Sequence, residues 1–92
     1  MKAAGVYIIQ STKNGYYYIG STDNLERRLI QHNKGLVKAT KNLRPLEIRC
    51  FIPCGNLTEA KQSEYRLKTY KRKDILEKVI TDKTFPWNYK RD

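Results

Sequence analysis

Two short runs rich in β-branched and aromatic residues, 5–11 and 16–21, sit on either side of Asn14-Gly15, and this arrangement most constrains the fold. Asn-Gly readily takes the two positive φ angles of a type I′ turn, so the two runs read as a tight antiparallel hairpin. That turn pairs Lys13 with Tyr16, Ser11 with Tyr18 and Ile9 with Gly20. Strand side chains alternate with period two, which places Tyr7 and Tyr18 on one face of the hairpin.

A helix should follow at about 24–34. Asp23 with Glu26 three residues later has the form of a capping box, and Gly35 is a good left-handed terminator. At about 100° per residue, Leu25, Leu29 and Leu36 cluster into a buried stripe. His32 lies at its margin and Arg28 about 60° off it, whereas Arg27 points to solvent.

Residues 36–45 read as a basic loop with Lys38, Lys41 and Arg44, ending at Pro45. The alternating stretch 46–52 reads as a third, half-buried antiparallel strand. Asn56 can cap a second helix with Glu59 three residues on. Ala60 and Leu67 mark that helix's apolar stripe, and Glu64 falls within it. A charged carboxylate there is costly unless a cation meets it. A short third helix is expected around Asp74–Ile80, followed by an aromatic tail, Phe85 to Tyr89, that can pack back on the domain. The fold class is therefore α+β: a three-stranded antiparallel sheet flanked by about three helices. The whole chain, 1–92, reads as one domain, with a core at about 5–80 and a short aromatic and basic tail at 81–92.

Nineteen Lys and Arg against nine Asp and Glu leave a formal charge of +10 on 92 residues. A field of that strength on so small a body points to a polyanionic partner, nucleic acid before membrane. No stretch approaches the ~20 apolar residues that span a bilayer, and nothing resembles a signal peptide. A cytoplasmic location is the expectation. Cys50 and Cys54, with a single histidine in the chain, do not make a four-ligand zinc site, and reduced thiols are the default.

The order Gly5-Val6-Tyr7, Tyr18-Ile19-Gly20, the helix bearing Arg28 and His32, Arg44-Pro45 before a strand, and Ala60 to Glu64 on a later helix resembles a stand-alone GIY-YIG nuclease domain. The resemblance covers nearly residues 5–70. It implies metal-dependent hydrolysis of a DNA phosphodiester, with one Mg²⁺ or Mn²⁺ ion held by Glu64. Tyr7, Tyr18, Arg28, His32 and Glu64 match the family's catalytic residues, and Gly5 and Gly20 its motif glycines. Asn88 stands where a late asparagine could contribute, although it lies further from Glu64 than the resemblance implies.

These side-chain types suit such chemistry. A phosphodiester transition state gathers charge on its oxygens, which Arg28 and a cation on Glu64 can meet. A phenol with pKa near ~10 must lose about 2–3 units to act as a base at neutral pH, worth about 3–4 kcal/mol. On this reading Tyr7 activates water, Tyr18 orients it or a phosphate oxygen, and His32 either takes Tyr7's proton or holds its hydroxyl. Lys38, Lys41, Arg44, Lys71, Arg72 and Lys73 are candidates for tracking duplex or branched DNA. The activity expected is a structure-selective or weakly sequence-specific endonuclease in repair, recombination or mobile-element processing, with room for a protein partner that supplies specificity. Two other classes compete: a nucleic-acid-binding module without cleavage, using the same basic, tyrosine-rich surface, and a basic scaffold that recruits another protein.

Overall fold

The computed structural model describes residues 3–70 and 72–88. Strands β1 (Gly5–Ser11), β2 (Tyr17–Thr22) and β3 (Leu46–Pro53) form an antiparallel sheet in the order β2-β1-β3. Helix α1 (Leu25–Asn33) and a 3₁₀ helix (Lys38–Leu43) lie between β2 and β3. Helices α2 (Leu57–Lys68) and α3 (Lys73–Asp82) follow, then a 3₁₀ turn, Pro86–Asn88. The architecture is the expected α+β sheet with flanking helices. None of the described helices is long and apolar enough to cross a membrane.

The sheet has a core on each face. Val6, Ile8, Ile19, Cys50 and Ile52 pack with Ala60 and Leu67 of α2, Val79 of α3 and Phe85. On the other face Tyr7, Ile9 and Leu46 pack with Tyr18, Leu25, Leu29, Leu43 and Phe51. Cys50 and Cys54 are free thiols, and Cys50 is buried as a small apolar residue.

The hairpin differs from the predicted two-residue turn. Tyr18 pairs with Ile9 and Gly20 with Tyr7, a shift of two residues. The loop spans four residues, because the Ser11 hydroxyl accepts from the backbone N–H of Lys13 and Asn14 at 3.1 and 3.3 Å. Only Gly15 takes positive φ, at 80°. Asn14 instead uses its side chain to accept from the Tyr16 N–H at 3.0 Å. A two-residue shift preserves the facing of every side chain, so Tyr7 and Tyr18 still share a face.

Helix α1 is capped by Asn24, whose side chain accepts from the Arg27 N–H, and not by Asp23. Asp23 pairs with the exposed Arg27 at 3.3 Å. The helix ends as expected at Gly35 (φ 76°), with the Leu36 N–H on the Gln31 carbonyl and the Gly35 N–H on that of His32. Past this reversal Leu36 is 71 % exposed, so it leaves the predicted stripe, and His32 occupies the buried position instead. Asn33 ties the helix end to β3, accepting from the Leu46 N–H at 2.8 Å and donating to its carbonyl at 3.0 Å.

Two further departures matter for the site. The expected basic loop contains the 3₁₀ helix, which turns Thr40 inward. In β3, a bulge opposite Ile8 and Ile9 leaves Arg49 without a strand partner. Simple alternation would put Leu46 and Cys50 on one face; the extra residue lets each be buried in a different core. Helix α2 is as expected, capped by Asn56 with Ala60 and Leu67 fully buried. Helix α3 is longer than its expected 74–80.

Both motif glycines answer to close approach across the sheet. A Cβ on Gly20 would lie 2.3 Å from the Tyr7 ring and hydroxyl, and one on Gly5 would lie 2.5 Å from the Phe51 ring and the Ile52 carbonyl. Gly20→Ala is therefore expected to destabilise the fold by about 1–3 kcal/mol, as overpacked cores do. An unchanged urea midpoint would show that the Tyr7 ring is not fixed over this glycine.

Candidate active site

Tyr7 is the centre of a chain of polar groups. Its ring is 1 % exposed, and its hydroxyl lies 2.8 Å from His32 Nε2. His32, fully buried, places Nδ1 2.7 Å from Thr40 Oγ1, which in turn has a long 3.5 Å contact with the Val37 carbonyl. From the other side Arg28 donates from Nε to the Tyr7 oxygen at 3.3 Å and from Nη1 to Gln31 at 3.1 Å.

Donor counting orients the protons. Burial, and then the Arg28 charge, push the His32 pKa down to about 4, so the ring is neutral with one donor and one acceptor nitrogen. Tyr7 donating to Nε2, Nδ1–H donating to Thr40 and Thr40 donating to Val37 satisfies every group in the chain. It leaves the Tyr7 oxygen free to accept from Arg28. Reversing the chain would cost the Thr40–Val37 contact.

Without a metal ion, the protein's own groups do not meet the requirement on Tyr7. Its pKa is raised, not lowered: burial outweighs the hydrogen bond and charge of Arg28, and the charges of Tyr18 and Glu64 push the same way as burial. Tyr18, half-buried, lies against both rings, with centroids 6.4 Å from Tyr7 and 5.2 Å from His32.

Glu64 belongs to a second group on the α2 side. Its carboxylate accepts from the Ser21 hydroxyl and the Lys68 ammonium, each at 2.5 Å, and its side chain is 21 % exposed. The side-chain cation that meets this carboxylate is Lys68, one turn on. Lys68 also joins the two groups, with Nζ 5.7 Å from the Tyr18 ring centroid.

Two grooves flank Glu64 through its hydrogen-bond partners. One of about 310 Å³ is lined by Ser21, Arg27, Arg28, Gln31 and Lys61, among others. The other, of about 620 Å³, includes Tyr18 and Lys68. Glu64 bonds to Ser21 in the first and Lys68 in the second. Among the described residues no group of three or more His, Cys, Asp or Glu could hold a metal. A cation here would have one half-buried carboxylate, neighbouring hydroxyl and water. That donor set suits a hard, largely hydrated ion such as Mg²⁺ and not a tetrahedral zinc.

The remaining sequence candidates lie around this centre. Lys38, Lys41 and Arg44 are exposed on and after the first 3₁₀ helix, and Lys41 and Arg44 line a separate depression with Lys13 and Asn33. Arg72 is paired with Asp74, Lys73 sits 6.0 Å from the Tyr17 ring, and Lys71 lies outside the described residues, as does Tyr89 of the tail. Asn88 closes the last 3₁₀ turn through its backbone bond to Phe85 and makes no bond to the two groups above. Sequence reading did not single out Thr40, Gln31, Ser21 or Lys61, and it offered Lys68 only as one possible ion-pair partner of Glu64. Lys68 carried a signal, as the i+4 partner of a misplaced carboxylate, and the other four carried none.

Comparison with known proteins places these features in a wider group. The family model described as the GIY-YIG catalytic domain matches residues 3–88. The chain is 38 % identical over 68 residues to a UPF0213 protein of Bacillus pumilus, covering 73 % of this chain and 69 % of that protein. It is 35 % identical over 78 residues to a UPF0213 protein of Staphylococcus saprophyticus, covering 84 % and 93 %. A structure-specific endonuclease subunit, slx1, of Botryotinia fuckeliana is 46 % identical over 55 residues, 52 % of this chain but 13 % of that protein. No solved structure matches at a comparable level of significance.

The buried imidazole makes stability depend on pH. Unfolded, it binds a proton below about pH 6.5; folded, only near about 4. Between those values the unfolded chain holds more protons, so stability is full above pH 6.5 and falls as pH drops toward 4, by about 3 kcal/mol in all. Urea unfolding across this window should show the loss. His32→Phe, though less stable throughout, should lose this part of the slope; an unchanged slope would place the titration elsewhere.

Proposed function

The chain belongs to the GIY-YIG family of catalytic domains, and from that premise we propose that it is a divalent-metal-dependent DNA endonuclease selective for structure more than sequence. The observation that carries the reading is the meeting of two chemistries at one strand: a proton-carrying Tyr7–His32–Thr40 chain under Arg28, and a half-buried carboxylate at the junction of two basic grooves. The slx1 relative is named a structure-specific endonuclease subunit, which supports a structured DNA substrate and work beside another protein; repair, recombination or mobile-element processing is where such an activity would serve.

Glu64 would hold the ion, which when bound supplies positive charge to the leaving and non-bridging oxygens. Arg28 grips the scissile phosphate as a permanent cation, with Lys61 lining the same groove. Because burial disfavours a free phenolate at Tyr7, the proton must move on as it arrives. The Tyr7 oxygen takes a proton from the attacking water while its own proton passes to His32 Nε2. The neutral imidazole is ready to receive it, and the Nδ1–H bond to Thr40 keeps Nε2 facing Tyr7. Tyr18, more open to solvent, orients the water or a phosphate oxygen. Lys38, Lys41, Arg44 and Lys73 would follow the DNA backbone away from the site.

A screen of single-stranded, duplex, flap and branched DNA with Mg²⁺ or Mn²⁺ tests this. Glu64→Gln is expected to bind DNA and cut none of it, and Tyr7→Phe to lose about 10²–10⁴-fold in rate. Cleavage by folded Tyr7→Phe at the unsubstituted rate would remove that hydroxyl from the chemistry. Tight DNA binding with no metal-dependent cutting of any substrate would support the binding-module reading instead.

A further inference from the structure

The larger groove, about 620 Å³, runs along the outer edge of β2 beside Tyr18. Its walls carry Tyr16, Tyr17 and Tyr70 together with Lys68, Arg72 and Lys73, and no Asp or Glu stands among its described lining residues. Tyr16 is 64 % exposed at the end of the hairpin. Lys73 has no carboxylate partner among the described residues, whereas Arg72 shares its charge with Asp74 at 2.8 Å. Tyr70 packs against Trp87, centroids 6.1 Å apart, and Trp87 in turn stacks on Phe85 and carries the Arg66 guanidinium over its ring.

We propose that this groove binds the unpaired nucleotides adjoining the cleavage point, with bases stacked on Tyr16 and Tyr70 and phosphates followed by Lys68 and Lys73. The proposal rests on the nuclease reading only in placing the scissile phosphate at Glu64; the chemistry of the groove is independent of it. Cations alone would suit any polyanion. Open tyrosine faces add a surface whose complement is the flat face of a base, and in a duplex those faces are covered by their neighbours. A double helix, whose major groove alone is about 12 Å wide, does not enter a cleft of this volume, while a single strand does. The groove is also linked to the carboxylate: Lys68 lines it and bonds to Glu64, and Ser21, Glu64's other partner, lines the Arg28 groove. A strand lying in one groove therefore arrives at the residues of the other.

The test compares a blunt duplex with the same duplex bearing a single-stranded arm, with 2-aminopurine placed in the arm beside the junction. It is run in EDTA so that nothing is cut. The armed DNA should bind roughly tenfold more tightly, with quenching of the arm's fluorescence. Tyr16→Phe should keep both effects and Tyr16→Ala should lose both, about tenfold in affinity, with an unchanged melting profile showing that the fold is intact. Lys73→Ala should lower the salt slope of binding by about 0.7. Quenching and affinity unaltered in Tyr16→Ala would overturn the proposal, as would displacement of the arm by poly-glutamate as effective as by oligo-thymidine. A protein that quenches the arm yet never cleaves in any metal would leave the groove standing and remove the nuclease. One that cleaves but ignores the arm would do the reverse.

Discussion

A single buried phenol hydroxyl sets most of this structure. Leaving the Tyr7 oxygen unpaired inside the domain would cost about 1–3 kcal/mol, and three separate segments are arranged so that it does not. Helix α1 contributes Arg28 and His32 one turn apart, and the 3₁₀ helix contributes Thr40 to fix the imidazole. Strand β2 contributes the absence of a side chain at Gly20. The hydroxyl thus dictates the rotation of α1, the inward turn of residues that read as loop, and the facing of β2. A slip of one residue in the hairpin would send Tyr18 to the other core and give Tyr7 a bulkier neighbour. A slip of two keeps Tyr18 on its face but sets Thr22 or Tyr18, and not Gly20, opposite Tyr7.

The charges follow a similar economy. His32 is kept neutral by burial and by the nearby guanidinium, so Arg28 is the positive charge in that half of the site. In the other half, Glu64 sits one turn before Lys68, an orientation that helices favour but that is worth only a few tenths of a kcal/mol on an open surface. Here the carboxylate is four-fifths covered and also holds Ser21, so desolvation is substantial and the ammonium is required as its counter-charge. The pair is thus a poor guide to stability and a good guide to where a cation is needed.

Much of this was legible in the sequence because it depends on local chemistry. The strands, the Gly35 terminator, the Asn56 cap and the Ala60–Leu67 stripe follow from residue type and period. The oddity of Glu64 followed from the same stripe. What was not legible depends on tertiary competition. The Ser11 hydroxyl took the turn from Asn14, Asn24 outcompeted Asp23 for the cap, and Leu36 was lost from the stripe once the chain reversed. Thr40 gave no sign of its role, since one threonine in a basic loop acquires meaning only when an imidazole needs a partner. The burial that raises the Tyr7 pKa was hidden for the same reason. The sequence displays the arginine that would lower it, while the burial that raises it appears only in three dimensions.

The location of the site has a simple geometric cause. Tyr18 and Ser21, of opposite parity on β2, point to opposite faces of the sheet, one toward the α1 layer and the other toward α2. A strand in the middle of a sheet would keep such residues apart, separated by its neighbours' backbones. At an outer edge nothing intervenes, and groups from the two layers can meet around the rim. Strand β2 is that edge, with β1 on its inner side only. Lys68 shows the consequence: it leaves a helix on one face, bonds a carboxylate of that face, and reaches the ring of a tyrosine belonging to the other. Burying this edge beneath another strand would leave each half of the chemistry intact and unable to act on the same phosphate.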